Sequence, residues 1–138
     1  MRAAALLTTV ALLAGCGGHK AQTPDQVARA WSADLNRSDD LSAANLFASD
    51  AQVVQSGAIT LHGHKDAYQW NHALPCGGTI THITEQGKDQ VLVVFLLKER
   101  PGHSCDGPGQ AAAAIFRVAH GKITLWHQVP PPAQAPVI

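Results

Sequence analysis

Val91-Leu92-Val93-Val94-Phe95-Leu96-Leu97, bracketed by Gln90 and Lys98, is a nearly unbroken apolar run, and its reading decides the fold. Such a run suits a central strand covered on both faces. Before it, Thr79 to Glu85 alternates around Ile80 and Ile83. After it comes a loop carrying Pro101, Gly102, Gly107, Pro108 and Gly109. Gln110 to Ala119 and Lys122 to Val129, joined by His120-Gly121, then complete a four-stranded meander. Towards the N-terminus the period changes. Thr23, Pro24 and Gln26 read as a capping box with proline at the first helical position, and Val27, Trp31 and Leu35 follow at helical spacing over 24–36. Ser38-Asp39-Asp40 caps a second helix with Leu41, Ala44, Phe47 and Ala48 on its apolar side. Val53-Val54 and Ile59-Thr60-Leu61 flank Ser56-Gly57 as a short hairpin, and a third helix after Gly63 carries Ala67, Trp70 and Leu74 on one side. Helices that precede a meander in this way define an α+β fold.

With 138 residues there is room for one domain, and a hydrophobic share of 46% is enough to give it a core. Ten basic residues balance ten acidic ones, so the charge footprint that nucleic-acid binding needs is missing. The N-terminus carries an address. Arg2 precedes a charge-free run from Ala3 to Ala14, shorter than the roughly 20 apolar residues of a membrane-spanning helix. The run ends in Leu13-Ala14-Gly15-Cys16, which resembles the lipobox of bacterial lipoprotein precursors residue by residue. That resemblance implies cleavage before Cys16 and a diacylglycerol anchor on its thiol. The expected organisation is a signal peptide over 1–15, the lipidated cysteine and a short tether over 16–23, the domain over 24–129 and a proline-rich tail over 130–138. The domain would then face outward from the cell membrane, close to its surface.

Export gives the other two cysteines a meaning. Cys76 and Cys105 are the only ones left after Cys16, and in an oxidising compartment they have one pairing available. Both sit in glycine-rich loops. A reactive or metal-binding thiol pair is the alternative, but no CxxC spacing points to it.

The order of elements resembles the nuclear transport factor 2-like superfamily, which includes SnoaL-like cyclases and ketosteroid isomerases. Trp31-Ser32-Ala33-Asp34-Leu35-Asn36 and Leu46-Phe47-Ala48-Ser49-Asp50-Ala51-Gln52-Val53 are similar to its opening helices and first strand. Gly63 stands where its third helix starts, and Ile115-Phe116-Arg117-Val118 with Gly121-Lys122-Ile123 and Trp126 is similar to its last hairpin. The resemblance implies a cone, with a curved antiparallel sheet wrapped round about three helices over an apolar pocket. Many members dimerise through the outer face of that sheet.

Fold does not carry function, so the chemistry must come from the site. The places where ketosteroid isomerases keep a carboxylate base, a protonated acid and a tyrosine donor fall here on Gln55, Ala114 and Trp31. None can do the same work. The Asp-Arg-Asp set of related epoxide hydrolases is also missing, since Gln110 to Val129 offers Arg117 but no aspartate. Asp34 and His127 are the remaining acid–base candidates, and strand alternation places His127 with Ile123, Leu125 and Val129, opposite Trp126. His62, His64 and His72 could in principle ligate zinc, but they read as surface histidines, so neither metal nor cofactor is expected. The tryptophans are the stronger clue. Trp31, Trp70 and Trp126, with Phe47, Gln55 and Phe95, would line a pocket for a small apolar molecule or simply fill the core. The reading is a membrane-anchored lipoprotein that binds a small hydrophobic ligand without catalysis. A protein-interaction module at the envelope, as a homodimer or with another envelope protein, and a lyase or isomerase using His127 or Asp34 are the alternatives.

Overall fold

The computed structural model describes residues 22–133. The segment 1–15 expected to be a signal peptide, Cys16 and most of the expected tether lie outside the described residues, as does the end of the tail. The elements run α1 (Pro24–Asn36), α2 (Asp40–Asn45), β1 (Phe47–Val54), β2 (Ala58–Thr60), α3 (Gly63–Ala73), β3 (Gly77–Glu85), β4 (Gln90–Lys98), β5 (Ala111–Ala119) and β6 (Lys122–Val129). One sheet holds all six strands in the order β2-β1-β6-β5-β4-β3. Its neighbours are antiparallel except β1 and β6, which run parallel. Helix α1 touches β3, β4, β5 and β6, so the sheet must curve round it.

Helix α1 begins on a complete capping box: the Thr23 hydroxyl accepts from the Gln26 amide, and the Gln26 side chain accepts from the Thr23 amide. Its buried stripe is Val27, Ala28, Trp31, Ser32 and Leu35. The second helix is shorter than its apolar pattern suggests. Phe47 and Ala48 belong to β1, and Leu41 is exposed. The reason lies in β6: the Ile123 amide donates to the Leu46 carbonyl at 2.7 Å, and Phe47 pairs with Ile123. Sheet pairing thus takes the groups that another helical turn would use.

Besides a register shift in β1 between Phe47 and Gln52, two single-residue bulges bend the sheet. In β3, Ile80 pairs with Phe95 and His82 with Val94, leaving Thr81 as an extra residue. In β6, Leu125 pairs with Arg117 and Ile123 with Val118, leaving Thr124 extra. Each threonine hydroxyl donates to a carbonyl of the neighbouring strand, Val94 and Arg117 respectively, both at 3.3 Å. A bulge bends its strand and increases local twist. It also explains why Ile80 and Ile83, three apart, both pack on the core. The Thr124 insertion turns Ile123 inward with Trp126, so Ile123 does not share the face of His127 as strict alternation requires.

Strand β4 is covered on one face only. Val91, Val93 and Phe95 are buried under the helices, whereas Leu92, Val94 and Leu96 point outward and Leu96 is exposed. The inner layer closes through close backbone approach. The Asn36 side chain accepts from the Gly78 amide at 2.8 Å and donates to the Gly78 carbonyl at 2.9 Å. Neighbouring Gly77 allows this, because a Cβ there would lie 2.5 Å from Asn36 Oδ1. Just before β3, Cys76 is joined to Cys105 of the β4–β5 loop by a disulfide.

Candidate functional site

A half-open cavity of about 230 Å³ lies between α1 and the inner faces of the late strands. Trp31 and Leu35 of α1 form one wall, Phe95 and Leu97 of β4 another, and Ala112, Ala114 and Trp126 the floor. Pro75, Cys76, Gly77 and Gly78 close the side next to the disulfide. Polar groups are few. Ser32 is already spent, its hydroxyl donating to the Gly78 carbonyl at 3.2 Å. Gln55 and Gln128 form a pair, Gln55 Nε2 donating to Gln128 Oε1 at 3.4 Å, while Gln55 Oε1 accepts from the Trp70 indole at 3.3 Å. Among the lining residues Asp106 is the sole titratable side chain, and it is exposed. The Trp31 indole donates to Asn71 Oδ1 at 2.7 Å. Trp126 Nε1 is the one buried side-chain polar atom among the described residues with no partner.

Of the aromatic and amide residues expected at the pocket, Trp31, Gln55, Phe95 and Trp126 line this cavity. Phe47 and Trp70 stand outside its wall: they contact each other edge to face at 5.6 Å, and Trp70 packs on Trp126 at 5.0 Å. Trp70 is core, and Trp31 and Trp126 are both core and wall. Gln55, Ala114 and Trp31, from three distant parts of the chain, meet at the same cavity. Asp34 and His127 do not meet. The Asp34 carboxylate is held by Arg37 at 2.6 Å, and His127 lies on the outer sheet face, paired in register with Val54 and Ile115.

A second cluster gathers just past the C-terminal end of α1. Arg100, just past β4, has a fully buried side chain with every donor group engaged. Its Nη1 donates to Asp40 Oδ1 at 2.9 Å and to Ser38 Oγ at 3.3 Å. Its Nη2 and Nε reach the carbonyls of Asn71, His72 and Leu74 at the end of α3. Asp40 is therefore not a solvated capping residue. Asp39 is the cap, bonded by the hydroxyl and amide of Ser42, and these bonds hold its carboxyl below the usual range. Asp40 Oδ2 meets His72 Nδ1 at 2.9 Å, and His72 contacts the ring of His103 at 5.2 Å. Burial, and after it the Arg100 charge, holds His103 below the ordinary imidazole range. His62, considered with His64 and His72 from sequence, is instead exposed beside Asp50. No local signal marks Arg100, Asp40 or His103, because their partners are tens of residues away.

No family of related sequences matches the chain, and no curated protein matches it. Solved structures do. An NTF2-like protein of unknown function from Cytophaga hutchinsonii aligns with a TM-score of 0.64 at 14% identity, covering 83% of this chain and 95% of that one. A Kribbella flavida protein assigned as a ketosteroid isomerase aligns at 0.60 and 21% identity, covering 81% and 80%. A ketosteroid isomerase-like fold from Catenulispora acidiphila, in complex with trimethylamine, aligns at 0.60 and 22% identity, covering 80% and 88%. The chain therefore has the nuclear transport factor 2-like fold that its sequence resembles, and at these identities the likeness speaks for fold alone.

Removing a buried cation strands its partners. Arg100→Met leaves the Asp40 carboxylate and the end of α3 without donors, and is expected to cost about 3–5 kcal/mol in urea unfolding. Adding Asp40→Leu should recover part of that loss, since a buried pair replaced by apolar groups often costs little. A single variant as stable as the parent would show that the pair holds nothing.

Proposed function

We propose that this protein is a cell-envelope lipoprotein, anchored through an acylated Cys16, whose cone binds a small apolar molecule without acid–base chemistry. The observation that carries the binding reading is the cavity itself: about 230 Å³, walled by Trp31, Leu35, Phe95 and Trp126, with Asp106 as its one titratable lining residue. An enclosed apolar cavity of about 150 Å³ accommodates benzene, so this one suits a molecule of one ring or comparable bulk. The Gln55–Gln128 pair supplies a donor and an acceptor that can orient one polar substituent. The Catenulispora neighbour is in complex with trimethylamine, also a small molecule. The anchor rests on Leu13-Ala14-Gly15-Cys16 after its apolar run. Acyl chains contribute about 0.8 kcal/mol per buried CH2, which makes a diacylated cysteine a stable attachment.

The outer sheet face favours a second reading that is compatible with the first. Leu92, Val94 and Leu96 of β4 share that face with Ile115, Leu125 and Val129 of the neighbouring strands. Arg117 and His127 stand among them on that face and Leu96 is exposed, a mixed surface of the kind that a protein partner covers. We assign it to a second copy of the chain, giving a homodimer at the membrane with both cavities facing away from the interface.

Three measurements test these readings. Cys16→Ala should move the protein from the membrane fraction to the soluble one and abolish incorporation of labelled palmitate; retention of both would sink the anchor. A single-ring probe such as p-cresol should quench tryptophan fluorescence, and Ala112→Leu, which fills the floor opposite Phe95, should weaken that binding about tenfold or more. Equal binding by the variant would place the ligand elsewhere. In sedimentation velocity the soluble chain should run as a dimer and Leu96→Glu as a monomer. A monomeric parent would remove the dimer reading.

A further inference from the structure

Asp40, His72 and His103 come from three separate elements: the first residue of α2, the last turn of α3 and the β4–β5 loop. One ligating atom from each lies within 4.8 Å of the others. They border an open surface depression that also includes Ser38, Tyr68 and Gly102 and shares no residue with the apolar cavity. We propose that this trio is a binding site for a divalent transition-metal ion of the imidazole-preferring kind, with zinc as its representative.

The chemistry of the donor set is specific. Two imidazoles and one carboxylate suit zinc, nickel and copper and not calcium or magnesium, which want oxygen ligands. Three protein ligands leave at least one position open to water or a further ligand. The carboxylate is prepared for the task, since Oδ1 is held by Arg100 and Oδ2 is turned towards His72. The His72 ring is set by stacking on Tyr68 at 5.6 Å with only 10° between planes. Such supporting contacts orient ligands and raise affinity. His103 is the mobile member. Ligands at about 2.0–2.1 Å from a zinc ion stand about 3.3 Å apart, so its ring must close inward by an ångström or so. The loop backbone is held by the His103 amide on the Arg100 carbonyl and by the Cys105 disulfide, so the adjustment falls to rotation of the His103 side chain. Arg100 acts against binding, because its fixed positive charge repels a dication. Affinity in the micromolar range is therefore expected, below that of a structural zinc site.

Zinc titration of the full chain by calorimetry tests the assignment, with cobalt as a spectroscopic substitute. One zinc per chain is expected, with magnesium and calcium giving no heat, and cobalt should give ligand-field bands in the visible. His72→Gln and His103→Gln, both at positions reachable by solvent, should each weaken zinc binding by more than about tenfold and remove the cobalt bands. His62→Gln with His64→Gln should leave both unchanged. The proposal is overturned if zinc affinity is unaltered in the His72 and His103 variants, if it follows His62 and His64, or if magnesium binds equally well.

Discussion

The buried Arg100 guanidinium is the interaction on which the helical layer depends. Its side chain, fully withdrawn from water, joins the start of α2 through Asp40, the end of α3 through three carbonyls, and the loop before α2 through Ser38. The last carbonyls of a helix have no partners within it and carry its negative pole, so a cation there meets both needs together. Desolvating an ion pair costs several kcal/mol per charge, and the cost is recovered only when the remaining donors are also bonded. Arg100 fulfils that condition with all its donor groups engaged. The site also holds Ser38 in the left-handed region at φ 55°, where its hydroxyl donates to the Pro101 carbonyl at 2.6 Å while accepting from Arg100. A backbone that few residues adopt persists because its surroundings specify it.

From this anchor a short hydrogen-bonded path reaches the cavity. Arg100 holds the Asn71 carbonyl, and the Asn71 side chain accepts from Trp31 while donating to the Ala67 carbonyl at 2.8 Å. Asn71 is wholly buried, so its amide has no water to fall back on. Trp31 is thereby fixed against Phe116 at 5.4 Å and Trp126 at 5.9 Å. Two of the three tryptophans serve as wall and the third as packing, and together they consume much of the interior that the cone would otherwise offer. Small cavity volume and rigid aromatic walls thus have one cause.

Much of this was legible in the chain. Thr23-Pro24 with Gln26 marks α1, Gly63 marks α3, and the run from Val91 to Leu97 marks the strand beside the cavity, because each signal is local. The bulges were not legible. Thr81 and Thr124 look like ordinary strand residues, and only the partner strand decides which residue is extra, so the inward turn of Ile123 escaped the alternation rule. Asp40 sits among good capping residues, and its true partner is 60 positions away. Nothing in Lys98-Glu99-Arg100 distinguishes a buried arginine from a solvated one. Pocket residues named by type fared according to contact. Trp31, Gln55, Phe95 and Trp126 converge, whereas Phe47 and Trp70 pack one layer away.

Apart from exposed Asp106, the cavity is lined by no titratable side chain, whereas Asp40, His72 and Arg100 gather in a separate cluster, and this separation constrains the chemistry of each place. A carboxylate among Trp31, Phe95 and Trp126 would lose its hydration and shift towards the neutral acid unless donors surrounded it. The donors near it are the Gln55 and Gln128 amides and the unpartnered Trp126 N–H, which are enough to hold one polar atom of a ligand but not to stabilise a fixed charge. In that cluster the buried Asp40 carboxylate is paired with the buried Arg100 guanidinium, and His72 stands where water can reach it. The apolar end is thus suited to selecting shape and size, and the charged end to holding ions or protons. They meet through Asn71, whose side chain bonds to Trp31 and whose carbonyl bonds to Arg100, and through Leu74, which lines the cavity and whose carbonyl also accepts from Arg100. A substituent that pushed Trp31 aside would have to break the buried Asn71 bond, so the cavity resists expansion towards larger ligands through the same contacts that hold the helices together.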